Sequence, residues 1–282
     1  MNSQYFAQYL LNTGVLSADA VQQLLADAMS CRPDLPVLAL RQHVMTAQQL
    51  DTMGELSADA FAEAVQKKGL MTASQVLNLR QAVTGESLRF AQAMLSAGIV
   101  GYQRLEELFS AYDAGTEDAL HEAVVQCAGT DLEEEIEFYA EYVDVFMRSL
   151  IRFMDTPAVI NKAEQPLENE EQMHFISQRL TGDLNLVAGI LATDDVLVEM
   201  ARRYSQEDVV EADELALDCV TEFLNVMNGL YIVSLAKRDL ELDLELPRMA
   251  KNKRPLANKQ LTLPVDTGFG LFYLLLAADE FL

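Results

Sequence analysis

The sequence predicts an α+β protein in two parts, an all-helical N-terminal repeat domain followed by an α+β domain with an antiparallel sheet. Three observations predict it. A helix–turn phrase recurs four times before residue 115. The stretch from Ala111 to Glu135 carries Gly115 and Gly129 and loses that repeat. Beyond about residue 172 the texture changes to short apolar runs between turns, including the charged–apolar alternation DLELDLELP from Asp239, the pattern of a half-buried strand. A length of 282 residues suits two domains, placed at 1–115 and 131–282 with a linker over 116–130.

The four phrases are TGVLSADAVQQL from Thr13, QHVMTAQQLDTM from Gln42, KGLMTASQVLNL from Lys68 and AGIVGYQRLEEL from Ala97. In each, a turn-forming residue (Gly14, His43, Gly69, Gly98) ends one helix. Two apolar residues follow, and Ser17, Thr46, Thr72 or Gly101 then caps the next helix. Gly14 and Gly69 lie 55 residues apart, as do His43 and Gly98, which reads as the duplication of a two-phrase helical unit.

The second domain opens with a helix over Asp131–Met154, rich in Glu and aromatics. Strands are expected at 172–179 and 183–192, around the turn Thr181-Gly182-Asp183. Thr193 is expected to cap a helix whose first turn holds Asp194 and Asp195, where the helix dipole favours anions. A longer helix covers about 212–236, the alternating strand follows from Asp239, and strands at 260–265 and 269–278 close the sheet.

Forty-four acidic against twenty basic residues give a net charge of −24. That field repels phosphate backbones and anionic lipid, so neither nucleic acid nor a membrane surface is an expected partner. Cys31, Cys127 and Cys219 form no CxxC, and His43, His121 and His174 have no ligand spacing. A cytoplasmic protein with reduced cysteines in its core and no metal or cofactor of its own is expected.

The chemistry-bearing residues sit on the helix beginning near Asp213. At about 100° per residue, Asp218, Glu222, Asn225 and Gly229 fall within roughly 60° of arc. The opposite face carries Ala216, Val220, Phe223, Met227 and Leu230, the core side. One stripe thus presents two carboxylates, an amide and bare backbone; by itself such a stripe is ordinarily a solvated face.

The spacing says more. Asp218, three residues, Glu222, two residues, Asn225, then 21 residues to Pro247 is similar to the signature of the CheC/CheX/FliY phosphatases, and the resemblance covers roughly Asp131 to Leu282. It implies a CheX-like fold and removal of phosphate from the aspartate of a CheY-like receiver in a chemotaxis or two-component pathway. Asn225 would position the attacking water and Glu222 would dock on the receiver's Lys. Asp218 and Gly229 would shape the surface, Pro247 would end the strand beside the helix, and Mg2+ would be carried by the receiver. A homodimer through sheet edges is also implied. Leu224 stands where related helices commonly have Gly before the Asn, which leaves open a CheX-like protein that binds a receiver or another signalling partner without turnover. No second Glu-x-x-Asn occurs between Asp131 and Met154, so one site per chain is expected.

Arg248, Lys251, Lys253, Arg254 and Lys259 form the one basic cluster, read as a loop that is either solvated or set against the acidic rim of a receiver. The N-terminal phrases weakly resemble the RLGxxLVxxG repeat of the helical domains of type II secretion and pilus ATPases, some of which bind cyclic di-GMP. Only the last copy keeps an Arg, Arg89, and its close-approach Gly is Ala91. A structural or protein-binding helical module is the expectation.

Overall fold

The computed structural model describes residues 5–54, 56–82, 86–115, 118–128, 132, 135–162, 173–251 and 255–281. They form two compact units, Met1–Glu117 and Asp118–Leu282.

The first unit is helical: α1 Phe6–Asn12, α2 Ala18–Ser30, α3 Leu35–Arg41, α4 Ala47–Asp51, α5 Ala58–Lys67, α6 Ala73–Gln81, α7 Glu86–Ser96 and α8 Tyr102–Ala114. The four phrases make the same turn. Gly14, Gly69 and Gly98 have φ +68° and His43 has φ +53°, so the left-handed stop persists where glycine does not. In each, the next residue's N–H reaches back five residues: Val15 to Leu10 O, Val44 to Ala39 O, Leu70 to Val65 O and Ile99 to Met94 O, all at 2.9–3.0 Å, closing off the last carbonyls of the helix. Thr46 with Gln49 and Thr72 with Gln75 form capping boxes, Ser17 accepts from the Ala20 N–H, and Gly101 makes no side-chain cap. Core positions also match at the 55-residue shift: Phe6 and Phe61, Leu10 and Val65, Leu16 and Met71, Leu24 and Leu79, Leu50 and Leu105 are all buried. Packing partners exchange under that shift, with α1 and α2 lying on α7 while α5 and α6 lie on α3.

The second unit is a seven-stranded antiparallel sheet with helices. Its elements are α9 Ala119–Cys127, α10 Ile136–Met154, β1 Ala158–Ile160, β2 Met173–Gly182, β3 Leu186–Thr193, α11 Asp194–Ser205, α12 Glu214–Ala236, β4 Leu242–Leu244, β5 Arg248–Lys251, β6 Gln260–Thr267 and β7 Gly270–Ala277. The strand order is β1-β6-β7-β3-β2-β4, and β5 also pairs with β2. The register places Ile176 opposite Ile190 and Ile190 opposite Leu274. The neighbouring set Phe175, Leu191 and Tyr273 faces the other way and belongs to a separate buried cluster, as strand alternation requires. α12 packs against α10, α11, β2 and β4. Among the described residues it alone is long and apolar enough to cross a membrane. Aromatic rings fix its register against α10: Tyr142 meets Tyr231 edge-on at 5.0 Å between centroids, and Phe146 meets Phe223 at 5.8 Å.

Several expectations need correcting. Within 116–130, read as a linker, α9 packs on α10, β1 and β6, so residues 118–128 are part of the second unit; 116, 117, 129 and 130 lie outside the described residues, as do Asp131 and Gln172. The strand read from Asp239 shortens to the three residues of β4, and its alternation ends in Leu246, 87 % exposed. β1 and β5 were not foreseen, being too short to show a period and existing through their pairing with β6 and β2. The cysteines are half-buried rather than core. Thr193 stands at the N-cap of α11 without a side-chain capping bond.

Candidate functional site

α12 begins where the Asp213 side chain accepts the Ala216 N–H at 3.1 Å, satisfying one of the free donors of its first turn. Ala216, Val220, Phe223 and Met227 are buried as expected, whereas Leu230 is only half-buried and Tyr231 takes the core position. Asp218 and Glu222 are exposed one turn apart, and Asn225 is half-buried beside them. Asn225 Nδ2 lies 3.5 Å from Glu222 Oε2. Gly229 continues the stripe with nothing within 4 Å of where a Cβ would stand. Leu224 is 0 % exposed, so the residue that departs from the related helices presents no side chain to a partner. Tyr204 of α11 borders the stripe; burial first, then the charge of Glu222 and Cys219, raises its hydroxyl pKa.

Beneath Asn225 lies a polar chain that the sequence reading missed. Gln178 of β2 donates from Nε2 to Asn225 Oδ1 at 2.9 Å and to the Glu245 carbonyl at 2.9 Å. Its Oε1 accepts from Asn228 Nδ2 at 2.8 Å. Asn228 Oδ1 accepts from the Tyr142 hydroxyl at 2.7 Å. Gln178, Asn228 and Tyr142 are all buried, at 2 %, 0 % and 0 % exposure, and burial drives the Tyr142 pKa well above the usual phenol range. One signal was available in the sequence: along HFISQRL, Gln178 stands between Ile176 and Leu180 on the same parity, a polar side chain that burial there obliges to find hydrogen-bond partners. The small Ala188 opposite it leaves room for its side chain.

Pro247 sits in the break between β4 and β5, where a missing N–H costs no ladder bond. The break matters, because the Glu245 carbonyl faces Gln178 while the Glu245 N–H bonds Arg179 O at 2.9 Å. Arg248 and Lys251 are on β5 rather than in a loop, and both have carboxylates nearby: Arg248 lies 3.5 Å from Glu280 and Lys251 3.5 Å from Asp194. Lys259 lies 3.6 Å from Glu135. Lys253 and Arg254 are outside the described residues. A cavity of about 230 Å³, bordered by Phe175, Ser177 and Arg179, opens on the other face of β2 from Gln178. Among the described residues no group of three or more His, Cys, Asp or Glu side chains is placed to hold a metal ion.

Residues 176–265 match the family described as chemotaxis phosphatase CheX. This stretch of the second unit is CheX-like. The match runs from β2 into β6, so Gln178, Asp218, Glu222, Asn225, Gly229 and Pro247 all fall inside it. Similar solved structures include CheX from Desulfovibrio desulfuricans, 14 % identical, covering 51 % of this chain and 99 % of that one with a TM-score of 0.43. CheX from Vibrio vulnificus is 16 % identical, covering 50 % and 98 %, with a TM-score of 0.43. The CheX–CheY–BeF3–Mg2+ complex from Borrelia burgdorferi matches at 14 % identity over 51 % and 98 %, with a TM-score of 0.39. No curated protein matches the chain.

Proposed function

We propose that the CheX-like domain hydrolyses the aspartyl phosphate of a CheY-like receiver, with Asn225 positioning the water and Glu222 docking on the receiver. The observation that carries this reading is the adjacency of an anchored amide and an exposed carboxylate on one open helix stripe, within the stretch matched to the phosphatase family. An acyl phosphate asks little of a catalyst. The water oxygen forms a new bond to phosphorus as the bond to the aspartyl oxygen breaks, and the leaving carboxylate, with an ordinary pKa near about 4, needs no general acid. The Mg2+ and Lys that offset phosphoryl charge are expected on the receiver. What remains for this chain is to hold a water in line and exclude misaligned ones. An amide suits that task without being a base, and an exposed carboxylate suits an ion pair with a Lys at the interface.

The test is the phosphoryl lifetime of candidate CheY-like receivers with and without the full chain. The wild type should shorten it, and Asn225→Ala should abolish the acceleration while still binding a receiver loaded with beryllofluoride. Wild-type protein that binds loaded receivers and leaves their lifetimes unchanged would establish a binding role instead.

A further inference from the structure

We infer that Gln178 is the positioning residue for Asn225, fixing which end of its amide faces outward; the inference rests on the reading of Asn225 as the water-positioning group. An asparagine amide on a helix surface has two ends of nearly equal shape and opposite hydrogen-bonding character. Left to itself it would rotate, and its oxygen and its NH2 would each spend time toward a bound receiver. Here the choice is made from below. The Glu245 carbonyl accepts and cannot donate, so the Gln178 group 2.9 Å from it is the NH2. The same NH2 meets Asn225 at 2.9 Å, which makes the facing Asn225 atom the oxygen.

The other end of the chain agrees. Gln178 Oε1 faces the Asn228 NH2 at 2.8 Å, and Asn228 Oδ1 takes the single hydroxyl proton of Tyr142 at 2.7 Å. Reversing any one amide would oppose two acceptors or two donors around the buried Gln178 and Asn228, and the break at Pro247 that exposes the Glu245 carbonyl is therefore part of the device. Asn225 consequently presents its NH2 toward solvent, beside Glu222 Oε2 at 3.5 Å. An N–H donated to a water occupies one of that water's lone pairs and leaves the other free to point at phosphorus. Gln178 is only 2 % exposed and acts through Asn225.

The experiment uses the full chain with three variants, Gln178→Met, Gln178→Glu and Tyr142→Phe. Met keeps the length without either polar atom. Glu offers acceptors alone, opposing the Glu245 carbonyl and inviting the Asn225 NH2 to turn inward. Expected for both Gln178 variants is a fall in maximal dephosphorylation rate of up to about 100-fold, the scale of a small misplacement, with affinity for a beryllofluoride-loaded receiver held within about two-fold. Turnover unchanged in Gln178→Met, with an active wild type, overturns the inference and leaves the proposed function standing. A second readout needs no activity and no variant. In side-chain amide NMR of the wild type, the Gln178 protons should be protected from solvent exchange and the Asn225 protons should exchange freely. Asn225 protons as protected as those of Gln178 would overturn the inference whether or not the wild type is a phosphatase. Should either Gln178 variant fail to fold, this measurement and the smaller Tyr142→Phe change, expected to speed exchange of the Gln178 protons, still decide it; no change there counts against it.

Discussion

Replacing Tyr142 by Phe takes one hydroxyl out of the second unit and leaves the ring in place. The ring keeps its edge-on contact with Tyr231 at 5.0 Å, so the loss is confined to the 2.7 Å bond to Asn228 Oδ1. Both residues are 0 % exposed, and no solvent replaces the missing donor. A buried acceptor stranded in this way costs about 1–3 kcal/mol, or roughly 5- to 150-fold in the equilibrium for opening the region. Asn228→Ala should cost more, because it strands the Tyr142 hydroxyl and Gln178 Oε1 together and leaves a cavity. A single unfolding curve would mix the two units and is unsafe here; the chain also has no Trp to report on either. Amide hydrogen exchange resolved along α10 and α12 isolates the effect. Exchange in those helices accelerated by less than about two-fold, the range of an inconsequential surface change, would refute the reasoning. It would mean that the polar chain contributes no stability.

Three further outcomes follow from the geometry. Glu222→Gln, which removes charge from an exposed position without altering shape, should weaken binding to a loaded receiver by roughly ten- to a hundred-fold if the carboxylate pairs with a Lys in a partly desolvated interface; equal affinity by titration would remove Glu222 from the docking role. Gly229→Ala meets nothing within 4 Å and should stabilise α12 by up to about 1 kcal/mol while weakening receiver binding, and unchanged affinity would show that the partner's backbone does not approach there. In alkali, Tyr139, Tyr142 and Tyr231 all have phenol pKa values raised, chiefly by burial and then by Glu135, Tyr231 and Glu141 respectively. Folded pKa values above the unfolded value near about 10 hold their stabilisation below that pH and lose it as pH rises, by roughly 1.4 kcal/mol per unit for each group. Tyrosinate absorbance from these three should therefore appear together with loss of structure in the second unit, and their titration in intact protein would contradict the burial argument.

Local pattern accounts for most of what the sequence revealed. The left-handed stops at Gly14, His43, Gly69 and Gly98, the caps at Thr46 and Thr72, and the stripe of Asp218, Glu222, Asn225 and Gly229 each depend on residues within a turn or two, and neighbours at three or four positions meet on a helix whatever the rest of the chain does. Periodicity placed the long strands for the same reason. The helix in the supposed linker and the strand formed by Arg248–Lys251 escaped, because α9 is defined by what it packs on and β5 by the edge that β2 offers it. The same holds for the support of Asn225. Gln178 lies 47 residues from Asn225 and 67 from Glu245, and Tyr142 lies 86 from Asn228. Sequence named the amide that faces outward, since helical geometry alone sets its direction. Only the tertiary structure decided which of its atoms points inward, because that depends on the register of β2 beneath α12 and on a carbonyl freed by a break in a neighbouring strand.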